Sequence, residues 1–313
     1  VSSKWLEHCN LMDKIIVTSE HTKNSIANTL YTAADPNNDV KLFCGTPIEV
    51  VGYPVKKYES KVNIDLDLEY DFNFLAIAQW GPRKNLDATV RWFIEEFIDQ
   101  EVGLVIKASV SKNNTMDRLK CEISLKNITS QYPNRKCKVY LLHGDMLDEE
   151  IDSIYRNPKI KALVSTSHGE GYGLPIFEAV YNKLPVIVPD WGGQLDFLYR
   201  PKKDKKGKIK KKPYFAKVDY DLAQIQKEAV WEPVLIEGSS WCYPKQGSFK
   251  MKLREVYKDH DRFKKQAKEL NSWVQKEFSQ EKIFNKMFKA ISDAINDEGE
   301  SKNEIFIKQV ENG

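Results

Sequence analysis

Two carboxylates, two cations and a run of glycines hold the chemistry of this chain. Glu170 and Glu178 are separated by seven residues, Gly171-Tyr172-Gly173-Leu174-Pro175-Ile176-Phe177. An ionised carboxylate is a forked acceptor, suited to a pair of vicinal hydroxyls such as a ribose or a hexose offers. Glycines let a backbone come close to a ligand. Pro175 fits the first turn of a helix, where its missing N–H costs nothing. The free N–H groups and positive dipole end of such a helix attract an anion. Upstream, Arg83-Lys84 sets two fixed cations in another turn. Cations and a helix start together stabilise the charge that develops on a departing phosphate. Ordinary roles compete with each assignment: a dipole partner at a helix start for Glu178, a solvated turn pair for Arg83-Lys84.

These groups need elements that hold them at one edge. Lys161 to Val164 is a short apolar strand, a helix runs from Pro175 to about Asn182, and Pro185 to Pro189 is a second strand ending at Asp190 and Gly192-Gly193. This is a βαβ unit with a site at its carboxyl edge. The same alternation precedes it. Phe72–Gln79, Val102–Lys107 and Lys138–His143 predict strands; Leu86–Gln100, Thr115–Tyr132 and a short segment opened by Asp148 predict helices. The expected fold class is α/β, with a doubly wound, mostly parallel sheet over residues 72–278.

Residues 1–55 predict strand Lys14–Thr18, a helix from Glu20 capped by Ser19, and strand Ile48–Tyr53. So few strands bury too little alone, so this segment is expected to be the last part of a second α/β domain whose remainder lies outside the chain. Residues 56–71 are expected to form a polar linker. Beyond Tyr199 come a lysine-rich insertion (201–213), the segment Tyr214–Leu222, a Trp/Tyr/Pro-rich loop (Trp231–Pro244), and helices over Phe249–Lys258, Asp261–Phe278 and Gln280–Ile295. The tail 297–313 is expected to fray.

At 313 residues and 41% apolar content, two domains with real cores are expected. No apolar run is long enough to span a membrane, and no signal peptide is visible. Five cysteines, none in a CxxC, point to a reduced cytoplasmic setting. Five histidines without HExxH or a tight Cys/His cluster predict no structural or catalytic zinc. Lys202 to Lys212 holds eight lysines against one aspartate, so the rest of a chain whose total is +3 nets −4. That balance excludes nucleic-acid binding by overall charge. The run is read first as a solvated insertion; the alternative is a peripheral contact with anionic lipid.

Gly169-x-Gly171-x-Gly173 after a strand, with Asp190 ending the next strand, resembles a dinucleotide fingerprint. Its third glycine falls one residue early, and Leu174-Pro175 fills the place of close helix packing. A nicotinamide- or flavin-dependent oxidoreductase is therefore only an alternative.

As a set, the motifs resemble those of another family. Glu170-GYGLPIF-Glu178 looks like the E-x7-E motif of the retaining glycosyltransferases of family 4, which have the GT-B fold of two Rossmann-like domains. The flanks Val139–Asp145 (VYLLHGD) and Pro185–Gln194 (PVIVPDWGGQ) resemble that family's surroundings. Trp80–Asn85 (WGPRKN) is similar to its phosphate-contacting loop, and Met12–Lys23 to the end of its first domain. The resemblance implies a metal-independent hexosyltransferase without a cofactor, using a nucleotide-diphosphate sugar and a carbohydrate, lipid or protein-linked glycan acceptor. It implies that Glu178 binds the ribose hydroxyls and Glu170 touches the transferred sugar. Backbone N–H groups of Gly171, Tyr172, Gly173 and Leu174 would contact sugar or diphosphate, and Lys84 with Arg83 would neutralise the leaving group. Gln79, Gly144, Met146 and His168 would line the donor site. Trp241, Tyr243 and Pro244 resemble a loop beside that site, and Gln280–Ile295 resembles the family's closing helix, which crosses back to the first domain. The sequence departs from the family where Gln79 and Trp80 stand in place of a frequent arginine, and the family's first-domain catalytic histidine has no match. A non-catalytic sugar-nucleotide-binding subunit is the other alternative.

Overall fold

A computed structural model describes residues 1–34, 39–58, 62–204 and 207–296. The chain divides into two compact units, Val1–Pro54 with the segment from Phe278 onward, and Val55–Glu277.

The first unit holds α1 (Ser3–Cys9), β1 (Ile15–Val17), α2 (Glu20–Ala27), β2 (Tyr31–Ala34), β3 (Asp39–Leu42) and β4 (Ile48–Val50). Strands β1 and β4 pair in parallel. Ser19 caps α2 by accepting from Thr22 N at 3.2 Å. The antiparallel pair β2–β3 was not expected from the sequence. The last helix among the described residues, Gln280–Asn296, belongs to this unit. Its Ile283 and Ala290 pack with Val51, while Phe284 and Phe288 are exposed. The expected fraying tail, 297–313, lies outside the described residues.

The second unit is built on one sheet. In chain order it contains β5 (Asn73–Gln79), α3 (Leu86–Phe97), β6 (Gly103–Ser109), α4 (Thr115–Thr129), β7 (Lys138–Leu142), α5 (Asp148–Arg156), β8 (Ile160–Val164), α6 (Leu174–Tyr181) and β9 (Val186–Pro189). Then follow α7 (Leu195–Leu198), β10 (Tyr199–Lys203), β11 (Ile209–Pro213), β12 (Ala216–Val218), β13 (Tyr220–Gln224), β14 (Ser240–Pro244), α8 (Gln246–Lys258) and α9 (His260–Glu277). Six strands pair in the order β12-β9-β8-β5-β6-β7, all parallel. The chain runs from β5 through β6 to β7, returns to β8 on the other side of β5, and runs outward again through β9 to β12; this reversal at β5 is the doubly wound arrangement.

The core follows from the apolar periods. Strand β6 buries Leu104, Val105 and Ile106, as a strand covered on both faces must. Helix α3 turns Leu86, Val90, Phe93, Ile94 and Phe97 inward at i, i+4, i+7, i+8 and i+11 spacing. Each such side chain contributes roughly 1.5–3 kcal/mol on burial. Phe74 meets Phe93 and Phe97 with ring centroids 6.1 and 5.6 Å apart.

Three expectations change. The lysine-rich segment is not merely a solvated loop: β10 and β11 form an antiparallel hairpin; its Lys205 and Lys206 lie outside the described residues. The segment Tyr214–Leu222 splits into β12, on the main sheet, and β13. The end of the Trp/Tyr/Pro-rich stretch is not a loop but β14, antiparallel to β13; Trp241 and Tyr243 share one face and the buried Cys242 lies on the other, so the short strand shows no polar alternation. Among the described residues no helix is long and apolar enough to cross a membrane.

Candidate functional site

Strands β5 and β8 are neighbours, yet the chain leaves them in opposite directions, through α3 toward β6 and through α6 toward β9. A crevice opens outside the carboxyl ends of strands at such a reversal. Two loops border it, Trp80–Asn85 and Ser165–Gly173. The first makes a 3-10 turn over Pro82–Lys84 and ends at Asn85, whose φ of +52° starts α3. The loops are tied together. Thr166 Oγ1 donates to Asn85 O at 2.9 Å, and Asn85 Nδ2 donates to Thr166 O at 3.2 Å. His168 N donates to Arg83 O at 2.8 Å, and Arg83 Nη1 to Gly169 O at 2.6 Å.

Glu170 is the centre of this junction. Its Oε1 lies 2.6 Å from Lys84 Nζ and its Oε2 lies 3.4 Å from Arg83 Nη1. Its carbonyl accepts from Gly193 N at 2.8 Å. The Lys84 and Glu170 side chains are 15% and 11% exposed, and Arg83 is 41% exposed. A pair this deep orients an ammonium before any ligand arrives. Beside it lies a pocket of about 340 Å³ whose lining includes Gln79, Lys84, Lys107, Ser109, Ile151 and Pro175. That volume is in the range for small-molecule sites, roughly 300–1,000 Å³. Lys107, which among the described residues has no carboxylate at ion-pair distance, and the start of α6 make its chemistry anion-seeking, with Lys84 held at its border by Glu170.

Lys107 was not expected from the sequence. It is the fifth residue of β6, and its Nζ donates to Gly144 O at 2.6 Å. Burial lowers its pKa, against the pull of Asp145. Gly144, at φ +119°, and the half-buried Met146 sit in the connection after β7. An anchor fixes the facing loop. Asp117 accepts from Val110 N at 2.8 Å, Ser111 N at 2.5 Å and Lys112 N at 2.9 Å, and lies 2.9 Å from His143 Nε2. Burial pushes the Asp117 carboxyl up, but the Val110 amide, His143 and the Lys112 and Ser111 amides outweigh it and hold it well below the ordinary range. Asp117, Cys121 and His143 bring ligand atoms within 4.8 Å of one another. With both carboxylate oxygens already serving the backbone, the trio is a loop anchor.

The second carboxylate stands apart. Glu178 does not line the pocket. One turn into α6, its Oε2 accepts from Tyr155 Oη at 2.8 Å. Burial raises its pKa, while Tyr155 and Lys56 lower it and Asp148 and Asp152 raise it. The Tyr172 side chain is buried against Phe177 and Phe197, at 5.3 and 5.1 Å, which leaves only its backbone for a ligand. Gly173 caps α6 at φ +88°, a conformation that suits glycine, and Leu174 is exposed.

His168 is buried between β14 and the loop. Its Nδ1 donates to Cys242 O at 2.7 Å, which leaves Nε2 as the acceptor in the neutral ring. Burial lowers its pKa, against that hydrogen bond. The ring stacks on Trp241 at 4.9 Å and 13° and meets Tyr243 at 4.7 Å. These aromatic residues buttress the glycine turn through His168. Cys242 is no nucleophile: burial pushes its thiol up to about 12. Asp190 lies 2.5 Å from Lys217 Nζ and accepts from Tyr199 Oη at 2.7 Å. In a dinucleotide fold it would serve a ribose; here its oxygens hold β12 and β10.

No family model matches the chain. A serotype-specific mannosyltransferase of Escherichia coli, WbdA, is 29% identical over 121 residues, which is 38% of this chain and 13% of the relative. The chain thus spans about an eighth of the length of the curated relatives it matches. Sucrose-phosphate synthase from Thermosynechococcus elongatus superimposes with a TM-score of 0.61 at 15% identity, over 93% of this chain and 61% of that one. Anabaena HepE, solved with UDP and glucose, gives 0.62 at 12% identity over 94% and 68%. The fold is that of the Rossmann-like domains of GT-B glycosyltransferases.

Proposed function

We propose that this chain carries the donor half of a retaining glycosyltransferase of family 4, moving a hexose from a nucleotide-diphosphate sugar to an acceptor hydroxyl. The observation that carries the reading is the Lys84–Glu170–Arg83 junction beside an anion-seeking pocket at the strand reversal. Its support also includes the UDP bound by HepE, a protein of the same fold, and the mannosyltransferase relative. Residues 72–278 are the donor domain, 1–55 the end of the acceptor-side domain, and 279–296 the closing helix. Thiols without disulfide partners fit a cytoplasmic chain.

Glu178 takes the ribose hydroxyls after release from Tyr155, and Glu170 faces the sugar. Backbone amides from Gly171 to Leu174, with Gln79, Gly144, Met146 and His168 around them, frame the donor. The bond from the anomeric carbon to the phosphate oxygen breaks, and its electron pair goes to the diphosphate. An oxygen of that diphosphate takes the acceptor hydroxyl's proton while the acceptor oxygen bonds the same face of the anomeric carbon. Lys84, Lys107 and the α6 start stabilise the developing charge without a metal.

A thermal-shift panel of UDP-, GDP- and ADP-sugars and NAD tests donor recognition, since a ligand bound only by the folded state raises stability. A nucleotide sugar shifts the melting temperature and NAD does not; the reverse result ends the reading. Lys84→Ala is expected to lower transfer about 100–1,000-fold. Binding without transfer or donor hydrolysis would instead make the chain a non-catalytic subunit. EDTA leaves transfer unchanged.

A further inference from the structure

The sheet has a second charged cavity at the opposite edge. It opens at the amino ends of β8 and β9 and holds about 410 Å³. Arg156 at the end of α5, Lys161 on β8, Lys183 after α6, and His260, Lys264 and Lys268 on α9 line it. No aspartate or glutamate is in the lining. Arg156 is neutralised by Asp152 at 2.6 Å. Among the described residues, Lys161, Lys183, Lys264 and Lys268 have no carboxylate within ion-pair distance. Lys161 Nζ donates only to Pro158 O at 2.6 Å.

The carboxyl ends of α5 and α6 reach this edge and bring about half a negative charge each. Four lysines outweigh that by roughly three charges. The placement is costly in another way. Lys183 follows the end of α6 at φ +64°, a left-handed position that glycine or asparagine normally fills. His260 Nε2 donates to Lys161 O at 3.0 Å, so the ring holds β8 against α9 and adds no charge while neutral. Asp261, beside it on α9, acts on His260 against the lowering by burial and by Lys161 and Lys264. Like charges converging on a concavity repel one another until an anion enters, and a volume of about 410 Å³ suits a small molecule rather than a chloride ion.

We propose that this cavity is a second ligand site, which takes a small molecule bearing a phosphate monoester or diphosphate, held by Lys161, Lys183, Lys264 and Lys268. It is independent of the donor pocket, whose lining is at the other end of the strands. Tyr155 and Asn182 link the two regions: both line the cavity, the Tyr155 hydroxyl donates to the Glu178 carboxylate, and Asn182 Nδ2 donates to Glu178 O at 3.1 Å.

Inorganic pyrophosphate is the probe, titrated calorimetrically into the full chain carrying Lys84→Ala, which weakens the donor site; any binding left there is told apart by its indifference to Lys264 and Lys268. Binding is expected to persist in this chain and to weaken about tenfold for each of Lys264→Gln and Lys268→Gln, while Lys264→Arg retains it. Both lysines are exposed, and an unchanged melting temperature without ligand confirms that the variants fold. Absence of binding in the Lys84→Ala chain, or binding indifferent to Lys264 and Lys268, overturns the site. Sedimentation with phosphatidylcholine vesicles, with and without phosphatidic acid, identifies the source. Acid-dependent sedimentation lost in Lys264→Gln/Lys268→Gln assigns a lipid headgroup, and pyrophosphate binding without sedimentation assigns a soluble ligand. If the donor reading fails but this titration succeeds, the cavity stands by itself.

Discussion

Burial lifts the Glu178 carboxyl above the ordinary glutamate range, and the Tyr155 hydroxyl and Lys56 offset only part of that lift. A folded-state pKa above the unfolded value means that the charged form costs stability at neutral pH; the cost shrinks as pH falls below the raised pKa and is gone below the unfolded value. Recognition of hydroxyls needs the carboxylate. Donor affinity is therefore expected to fall on acidification while the pH is still above about 4.3, the ordinary glutamate value. Glu178→Gln should bind the donor more weakly and lose that pH dependence without losing stability at pH 7. Calorimetry with a nucleotide sugar from pH 7 to 5 checks it; a pH-independent wild type would leave Glu178 a helix residue and no more. Glu170, Arg83 and Lys84 were visible in the sequence as residue types, but their meeting across 86 or 87 positions rested on a motif, not on spacing. Lys107 was missed because a lysine late in an apolar strand run looks like a strand end. The signal was there, since β5 and β8 end in the same crevice and β6 runs beside β5. The sequence put Glu170 and Glu178 at one pocket, whereas α6 carries Glu178 a turn away, onto Tyr155.

Among the elements, those with a long apolar period were legible and those without one were not. Helix α3 and strand β6 bury continuous apolar surface, and their ends fall within a few residues of expectation. The β10–β11 hairpin has no such period, because its pairing is held by backbone bonds between charged strands. Its register sets Arg200 opposite Lys212 and Lys202 opposite Lys210. Like charges directly opposite are destabilising. Arg200 is partly relieved by donating to Glu269 O at 3.1 Å and by lying 5.6 Å from the Tyr214 ring. Lys212→Glu should therefore stabilise the chain by about 0.2–1 kcal/mol, read as a rise in urea midpoint. A contact of this hairpin with anionic lipid, the alternative reading of the lysine run, would weaken in the same variant. No rise in midpoint would mean that solvent already screens the pair. At the glycine turn the sign is opposite. Gly173 at φ +88° faces Ile176 Cδ1, which a Cβ would meet at 3.1 Å. Gly173→Ala is expected to cost about 1–2 kcal/mol, measured by the same denaturation, and to weaken donor binding by moving the α6 start.

At the scale of the molecule, one unit contains every group assigned to the donor. The residues of the pocket, the Glu170 junction, Glu178 with Tyr155, and the His168 stack all fall between Val55 and Glu277, the bounds of the second unit. The polar stretch after Val55, read from the sequence as linker, joins that unit: Val55 and Leu68 are buried, and Lys159 Nζ donates to Leu68 O at 2.6 Å. Its composition hid this, because two anchoring apolar residues in a charged segment make no period. A fragment of residues 55–277 keeps the whole six-stranded sheet and the helices that cover it, so it should fold alone and cooperatively. It should bind the nucleotide sugar with the affinity of the full chain, because no donor group is lost. A saturating donor at about 100 times its Kd would then stabilise the fragment by about 2.7 kcal/mol. Transfer is a different matter, since the fragment omits residues 1–54 and the Gln280–Asn296 helix, which the proposal gives to the acceptor side. Thermal melts of fragment and full chain with and without donor, alongside a transfer assay, separate the two contributions. Equal shifts with transfer abolished fit the division of labour. A fragment that folds but no longer binds would mean that the first unit contributes to the donor site, and the assignment of recognition to the sheet alone would fall.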